Sequence, residues 1–476
     1  RTPAGRPAEA GQHGFWAEYN NIFSLIDSLN LPEDPLTGYD EQGQYSPNGL
    51  EATWPVYAVA QFWRNSAQFA HCPSHLCRYN KESQLPTGLG QALYTRFHNL
   101  PALDLASAAA LVLAFSEFDD SEEAWRKYDK LSFRDLCVKL GVSKRLYDEA
   151  FEPMILTGLF APGEQCSAAA ALGMAYFFVL KHQQSFDVRW AKGDIGEKIF
   201  APWVEQLEGR GVRFLQNTKA VDFEASDDGR QISAVRCAVA GEESIVECDD
   251  IVFALGGGAL GALSRSPALA KSAEFRAFSN LRGTSVLATR LWLDRRVSTP
   301  YTANACWGFD EGVGMTWFDV GRLHAPKYDD EPGSVIEVDF YHCNQLLGLT
   351  DEAIVEKVKR DLDIMVPGFG DAAVVDAAVV RLPNAVNWYY PGSYRSMPET
   401  RSRSFSNAYF AGDIVKTRHG SWSQEKAYVT GLEAANALLG RGAAHGVLPL
   451  DADEPHVAAG RLVAGALPGS LVDFLR

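Results

Sequence analysis

The chain has 476 residues, enough for two or three structural units of the usual ~100–200 residues. Hydrophobic residues make up 46% and charged residues 22%, which supplies a core and excludes wholesale disorder. With 44 Lys and Arg against 60 Asp and Glu, the net charge of −16 repels phosphate backbones and excludes nucleic acid as a partner.

Residues 1–12 are turn-rich. Tyr19, Ile22, Phe23, Leu25, Ile26 and Leu29 then recur at three-to-four spacing, which predicts a helix stopped by Pro32. From Tyr57 to Leu180 the pattern is mostly helical, with one stripe formed by Leu103, Ala106, Ala109, Ala110, Leu113 and Ala114. The longest nearly uncharged apolar run, Cys166 to Leu180, is shorter than the ~18–20 residues that span a bilayer, so a buried helix is expected. Peripheral contact with a membrane through a local apolar patch stays open. The eight cysteines show no repeated spacing, which suits a reducing compartment. His71, Cys72, His75 and Cys77 crowd four potential ligands into seven residues, too close for an unstrained tetrahedron, and no metal site is expected.

Beyond residue 210 the texture changes. Gly211–Leu215 reads as a strand, and Ile232–Ala240 with Glu243–Glu247 as a hairpin around Gly241. Asp250–Leu255 reads as a short strand buried on both faces. Thr284–Asp294 and Val335–Tyr341 are further strands, and Asp351–Ile364 is a well-patterned helix. A literal GxGxxG, Gly256 to Gly261, follows the strand ending at Leu255. No acid closes a second strand ~20 residues on, so a glycine turn is the better reading than a second nucleotide site. There is no G-x-S-x-G elbow. The architecture expected is a mixed α/β body with a large helical insertion.

The sharpest local signal lies near the C-terminus. A strand over Asn407–Ala411 ends in Gly412-Asp413, and a helix opens after Gly420, with Ser421 and Gln424 at capping-box spacing. Ala427, Thr430, Gly431, Ala434, Ala435 and Leu438 share one helix face, most of them small. Such a face admits a backbone or a flat ligand, and a helix N-terminus suits an anionic ligand edge. Asp413 at a strand end can accept hydrogen bonds from sugar-type hydroxyls. A plain strand–turn–helix with a solvated acid is the alternative reading of the same residues.

Phe410-Ala411-Gly412-Asp413, followed by Ser423-Gln424-Glu425-Lys426-Ala427 and Thr430-Gly431, resembles the C-terminal flavin signature of FAD-dependent amine oxidases and plant-type carotenoid desaturases. His13-Gly14-Phe15 with Tyr19-Asn20-Asn21, Leu291–Arg296, and Gly193–Gly196 followed by Gly211–Phe214 resemble desaturase segments in the same order. The resemblance, running from His13 to Leu439, implies a two-domain FAD-binding flavoprotein fold. Its Rossmann-like FAD domain would be built from residues 1–30, 192–265 and 400–440. A helical substrate region would occupy 31–191, a sheet-containing one 266–399, and a tail 441–476. No strand–GxGxxG–helix unit precedes His13, so a fragment lacking the first βαβ unit is expected, one that holds FAD poorly as it stands.

The resemblance also implies roles. Asp413 would bind the ribityl or pyrophosphate part of FAD, beside Gly412, and the backbone at Gln424, Glu425 and Ala427 would face the isoalloxazine. Ala220 would meet the adenine, and His13, Gly14 and the turn at Gly256 would lie near the cofactor. The activity implied is hydride transfer from a C–H of an apolar polyene to flavin N5; no catalytic acid or base is assigned. The electron acceptor, quinone or oxygen, is unspecified, and plastid residence follows from the plant-type relatives. Amine oxidation is the alternative, although the strand Thr284–Leu291 lacks the lysine amine oxidases commonly carry there. Gln424 and Lys426 replace the family's usual apolar residue and glycine, so a non-catalytic relative that binds an apolar ligand is a further alternative.

Overall fold

The computed structural model describes all residues except 1, 3, 7, 40, 55–99, 183–184 and 467–476. The crowded His71–Cys77 motif and the first part of the expected helical stretch lie outside the described residues. In chain order the strands are β1 (Gly14–Trp16), β2 (Gln42–Ser46), β3 (Gly49–Trp54), β4 (Val188–Trp190), β5 (Thr218–Ala225), β6 (Ile232–Val239), β7 (Glu242–Glu247), β8 (Ile251–Ala254), β9 (Gly283–Leu293), β10 (Ala303–Cys306), β11 (Gly314–Asp319), β12 (Val335–Tyr341), β13 (Val374–Asn387) and β14 (Ala408–Ala411). The helices used below are α1 (Asn20–Ser28), α2 (Ala109–Glu117), α3 (Glu122–Tyr128), α4 (Ala168–Ala175), α5 (Gly257–Leu263), α6 (Asp351–Met365), α7 (Ser423–Leu438) and α8 (Pro455–Ala466).

A seven-stranded sheet runs in the order β13-β9-β12-β11-β10-β2-β3, parallel only between β10 and β2. Strand β9, second from one edge between β13 and β12, is buried along nearly its whole length. Leu287, Leu291 and Leu293 point to one face, where they meet Ile336, Val338 and Phe340 and the apolar side of α6 at Ile354, Val358 and Leu362. Thr350 caps α6 through the Ala353 N–H, so this helix begins where its pattern says. Trp292 points to the other face with Val335 and Phe318, against Val188 and Trp190 of β4. By the same alternation Arg290 and Glu337 share that second face.

Elsewhere β8 and β14 pair in parallel, Phe253 stacking on Phe410 at 5.4 Å, and β5, β6 and β7 form a meander. Ala240 and Gly241 both take positive φ, which closes the β6–β7 hairpin as expected. All eight residues of α4 are buried, as the apolar run predicts.

Three expectations fail. Gly211–Leu215 is not a strand: it lies at the surface, with Val212, Phe214 and Leu215 exposed and no strand among the described residues pairing with it. Strand β8 is not buried on both faces, since Phe253 is covered while Val252 is 41% exposed. The stripe from Leu103 breaks as well: Leu103 faces solvent, and of the stripe's α2 residues only Ala114 is buried, beside Leu111 and Phe115.

Candidate functional site

Three chain segments meet at the C-terminal end of β14. Asp413 follows Gly412, whose φ of +125° only glycine adopts freely. The Asp413 carboxylate accepts from Asn387 Nδ2 at 2.5 Å, and Asn387 Oδ1 accepts from the Gly257 N–H at 2.5 Å. Tyr389 Oη donates to the Asp413 carbonyl at 2.8 Å. The end of β13, the turn after β8 and the end of β14 are thereby tied together. Thr430 Oγ1 on α7 accepts from the Gly412 N–H at 2.9 Å and anchors the helix against the turn. Burial raises the Asp413 pKa, opposed by nearby Lys426 and the Asn387 hydrogen bond.

Helix α7 starts without the expected capping box. Its N-cap is Trp422, which makes no side-chain cap, and Ser423 takes φ +54°. Ser421 Oγ is buried with no hydrogen-bond partner instead of bonding into the first turn. Tyr19 Oη and Trp16 Nε1 are buried without partners too. Tyr19 is fully enclosed beside Ser423 and Gln424, and burial pushes its pKa up. Two of these groups, the Ser421 and Tyr19 hydroxyls, thus stand at the opening of α7, an arrangement suited to a polar ligand edge.

The neighbouring side chains of α7 face different ways. Gln424 Nε2 donates to the Gly14 carbonyl at 3.2 Å, holding β1 against the helix start, and His13 beside it is half-buried, with its pKa lowered by burial. Glu425 is fully buried and turns away to α1: its carboxylate accepts from the N–H groups of Asn21 at 2.9 Å and Ile22 at 3.0 Å, and from Asn21 Nδ2 at 2.7 Å. It serves as a remote N-cap for α1, whose own N-cap Tyr19 makes none. Lys426 is 4% exposed, its ammonium over the rings of Trp422 at 5.5 Å and Tyr389 at 5.9 Å. Ala427 is half-buried, and a Cβ placed on Gly431 would meet nothing within 4 Å.

A second polar cluster lies on the face of the large sheet beneath residues 9–13. Arg290 Nε donates to Glu337 at 2.5 Å, Asp194 lies 3.8 Å from its Nη1, and Lys327 pairs with Asp194. Gln12 bridges this cluster to the chain's opening segment. Its Nε2 donates to Glu337 at 2.9 Å, its N–H reaches Asp339 at 3.4 Å, and its Oε1 faces His324 Nε2 at 3.0 Å. Asp339 is fully buried, one carboxyl oxygen has no partner, and burial beside Glu337 raises its pKa. The electrostatics bring Glu9 to about 7, chiefly by burial, and His324 down to about 3 for the same reason.

The structure brings Gly14, Gly412, Asp413, Gln424, Glu425 and Ala427 to one junction. Gly256 borders it, a Cβ there reaching Asn387 Oδ1 at 3.5 Å. Ala220 sits apart on β5, opposite Cys237 in the meander. Among the described residues no group of three or more His, Cys, Asp and Glu is placed to hold a metal. Asn387 and Tyr389 escape the sequence reading; a polar residue at the end of a strand gives no periodic signal.

The sequence profile described as flavin containing amine oxidoreductase matches residues 1–439. The chain belongs to that family. It is similar to 15-cis-phytoene desaturase of Synechococcus elongatus, 25% identical over 91% of this chain and 86% of that protein. The chloroplastic/chromoplastic 15-cis-phytoene desaturase of Solanum lycopersicum is 23% identical over 90% and 69%. In fold it resembles cyclohexylamine oxidase from Brevibacterium oxydans, TM-score 0.59 at 13% identity over 92% and 88% of the two chains. A putrescine oxidase redesigned in cofactor binding gives TM-score 0.60 at 15% identity over 93% and 90%. The protein is a flavin oxidoreductase with the two-domain fold of these enzymes, and the unpartnered Ser421 and Tyr19 hydroxyls at the α7 opening fit a flavin's polar edge. No helix among the described residues is long and apolar enough to cross a membrane.

Proposed function

We propose that the protein is an FAD-dependent desaturase of an apolar polyene, of the carotenoid type. The carrying observation is the junction at Asp413, where unpartnered buried polar groups surround a helix opening, in a chain similar over nine-tenths of its length to phytoene desaturases. Bound FAD supplies the hydride acceptor. Asp413 accepts hydrogen bonds from the ribityl hydroxyls, and the α7 N-terminus with Tyr19 and Ser421 binds the polar edge of the ring system. His13, Gly14 and the Gly256 turn border the cofactor, and Ala220 contributes a backbone contact to the adenine. Gln12, held by Glu337 and His324, fixes the segment that leads into His13 and Gly14 beside the cofactor.

In this reading residues 1–30, 192–265 and 400–440 make the FAD domain and 31–191 with 266–399 the substrate side; 441–476 is a tail. Quinone or oxygen takes up the electrons, and the protein resides in a plastid, in peripheral contact with the membrane that dissolves its substrate.

Amine oxidation is the second reading, favoured by one observation: the Asp339 carboxyl, kept protonated by burial, offers an unpartnered oxygen beneath the His13 segment that would accept a hydrogen bond from a neutral amine. An absorption spectrum of the purified protein decides. Flavin bands near ~450 nm that bleach anaerobically with a carotene precursor establish the desaturase. Bleaching only with an amine establishes the second reading. A colourless protein that takes up no FAD sinks both.

A further inference from the structure

Lys426 stands where the resemblance leads one to expect glycine, and the fold treats it as an inside residue. It is 4% exposed in the first turn of a helix whose opening carries unpartnered polar groups. Its ammonium forms no hydrogen bond or ion pair among the described residues and rests over the rings of Trp422 and Tyr389. Tyr389 in turn donates to the Asp413 carbonyl, so the cation lies in the wall of the junction that carries Asp413. Burying an ammonium without a close counter-ion costs several kcal/mol by desolvation, and aromatic faces return ~0.5–2 kcal/mol of it. A methionine would fill the same space without that cost. The charge therefore has a use that packing does not explain.

We propose that Lys426 is the cation that balances the negative charge a bound flavin gains on reduction, so that it sets the cofactor's reduction potential. This rests on the FAD reading above. A hydride brings two electrons and one proton to the ring, leaving it one unit more negative; no bond to the lysine forms, and a cation nearby favours the reduced form. Burial lowers the Lys426 pKa to about 8, against the pull of Asp413, Asp120 and Glu433. Asp120 comes from the loop before α3, where Arg461 of α8 and Asp119 face it in turn. The lysine can thus lose its charge just above neutral pH.

Sulfite, which adds to flavin N5 and leaves the ring anionic, is a direct probe of that charge. In the flavin-loaded protein, Lys426→Met is expected to weaken sulfite binding at least tenfold. It is also expected to lower the two-electron potential by about 30 mV, the equivalent of a tenfold change. Lys426→Arg keeps both within threefold of wild type. Wild-type sulfite affinity falls as pH passes about 8, a step missing in Lys426→Met, which retains Asp120, Asp413 and Glu433 as controls. Flavin-loaded Lys426→Met with unchanged potential and sulfite affinity overturns this inference alone, whereas wild type that takes up no flavin overturns the FAD reading and this with it. Flavin-free unfolding guards against a structural role. Lys426→Met as stable as wild type or more so supports the proposal, and a tenfold loss in the folding equilibrium makes the lysine a structural counter-ion of Asp413 and Asp120.

Discussion

Glu425 and Arg290 show what single buried charges do in this fold. The Glu425 carboxylate satisfies two backbone N–H groups at the start of α1 and an amide of Asn21. Glu425→Ala orphans those donors in a closed site, and each unsatisfied group costs ~1–3 kcal/mol. Urea unfolding should show a loss of roughly 2–4 kcal/mol, with Glu425→Gln losing about half as much because one oxygen still accepts. A loss under ~0.5 kcal/mol would mean α1 is capped some other way. Arg290 is paired with Glu337 in a site closed to water, both side chains fully buried. Arg290→Met strands the carboxylate and should cost ~3–5 kcal/mol, whereas Arg290→Met with Glu337→Leu should recover most of that stability. Equal stability of the single and double variants would contradict the pairing.

At the scale of elements, two helix glycines should answer substitution with opposite signs. Gly261 on α5 packs against the chain at Leu281, whose carbonyl a new Cβ would approach to 2.4 Å. Gly261→Ala should therefore destabilise by ~1–3 kcal/mol. On α7, a Cβ at Gly431 meets nothing within 4 Å, so Gly431→Ala should gain ~1 kcal/mol from helix propensity. If the open space belongs to the cofactor, the same variant binds flavin more weakly; thermal melts and flavin fluorescence separate the two effects. Elements with clean periodicity were legible in the sequence: β12 has the bounds its pattern gives, and α6 and the β6–β7 hairpin follow closely. Strand β13 was not legible, because Pro383 interrupts it. The structure places that proline at the sheet edge, inside the register shift between Leu382 and Val386, where a missing N–H breaks no ladder bond. Gly211–Leu215 failed for the opposite reason: strand-forming residues without a partner chain stay as coil. At the site, Gly412-Asp413 and the α7 start were legible as a motif. The Asn387 and Tyr389 contacts depend on tertiary closure, and Glu425 turns to α1 because a helix N-terminus lies within reach.

Over the whole molecule, more carboxyls are raised by burial than are lowered by ion pairs and hydrogen bonds, and this fixes the sign of the pH dependence. Glu9 moves from 4.5 to about 7, and Asp120 and Asp129 from 3.8 to about 6, all chiefly by burial. A group with a raised folded pKa holds its proton in the fold while the unfolded chain loses it, so each makes stability fall as pH rises through its window. Those windows are 4.5–7 for Glu9 and 3.8–6 for the two aspartates. His324 opposes them: its folded pKa of about 3 against 6.5 means the unfolded chain takes up the proton first, which lowers stability as pH falls from 6.5. His13, His342 and His419 are lowered by burial and act with His324. Glu152, Asp319, Asp339, Asp413, Glu425 and Glu433 are raised by it and act with the other three, so the carboxyls outweigh the histidines. Net charge acts in the same direction, since −16 at neutral pH declines toward zero near the isoelectric point of 5.1 and self-repulsion relaxes with it. The melting temperature, measured at one scan rate and constant ionic strength, should therefore be higher at pH 5.5–6 than at pH 8, by about 1–3 °C. Added salt at pH 8 should recover part of the difference by screening the surface charge, leaving the share that comes from the buried carboxyls. Glu9→Gln removes one of those protons from the balance and should flatten the slope between pH 5 and 7 without altering the response to salt. A melting temperature that climbs steadily from pH 5.5 to 8 would mean the histidines, not the carboxyls, dominate the linkage.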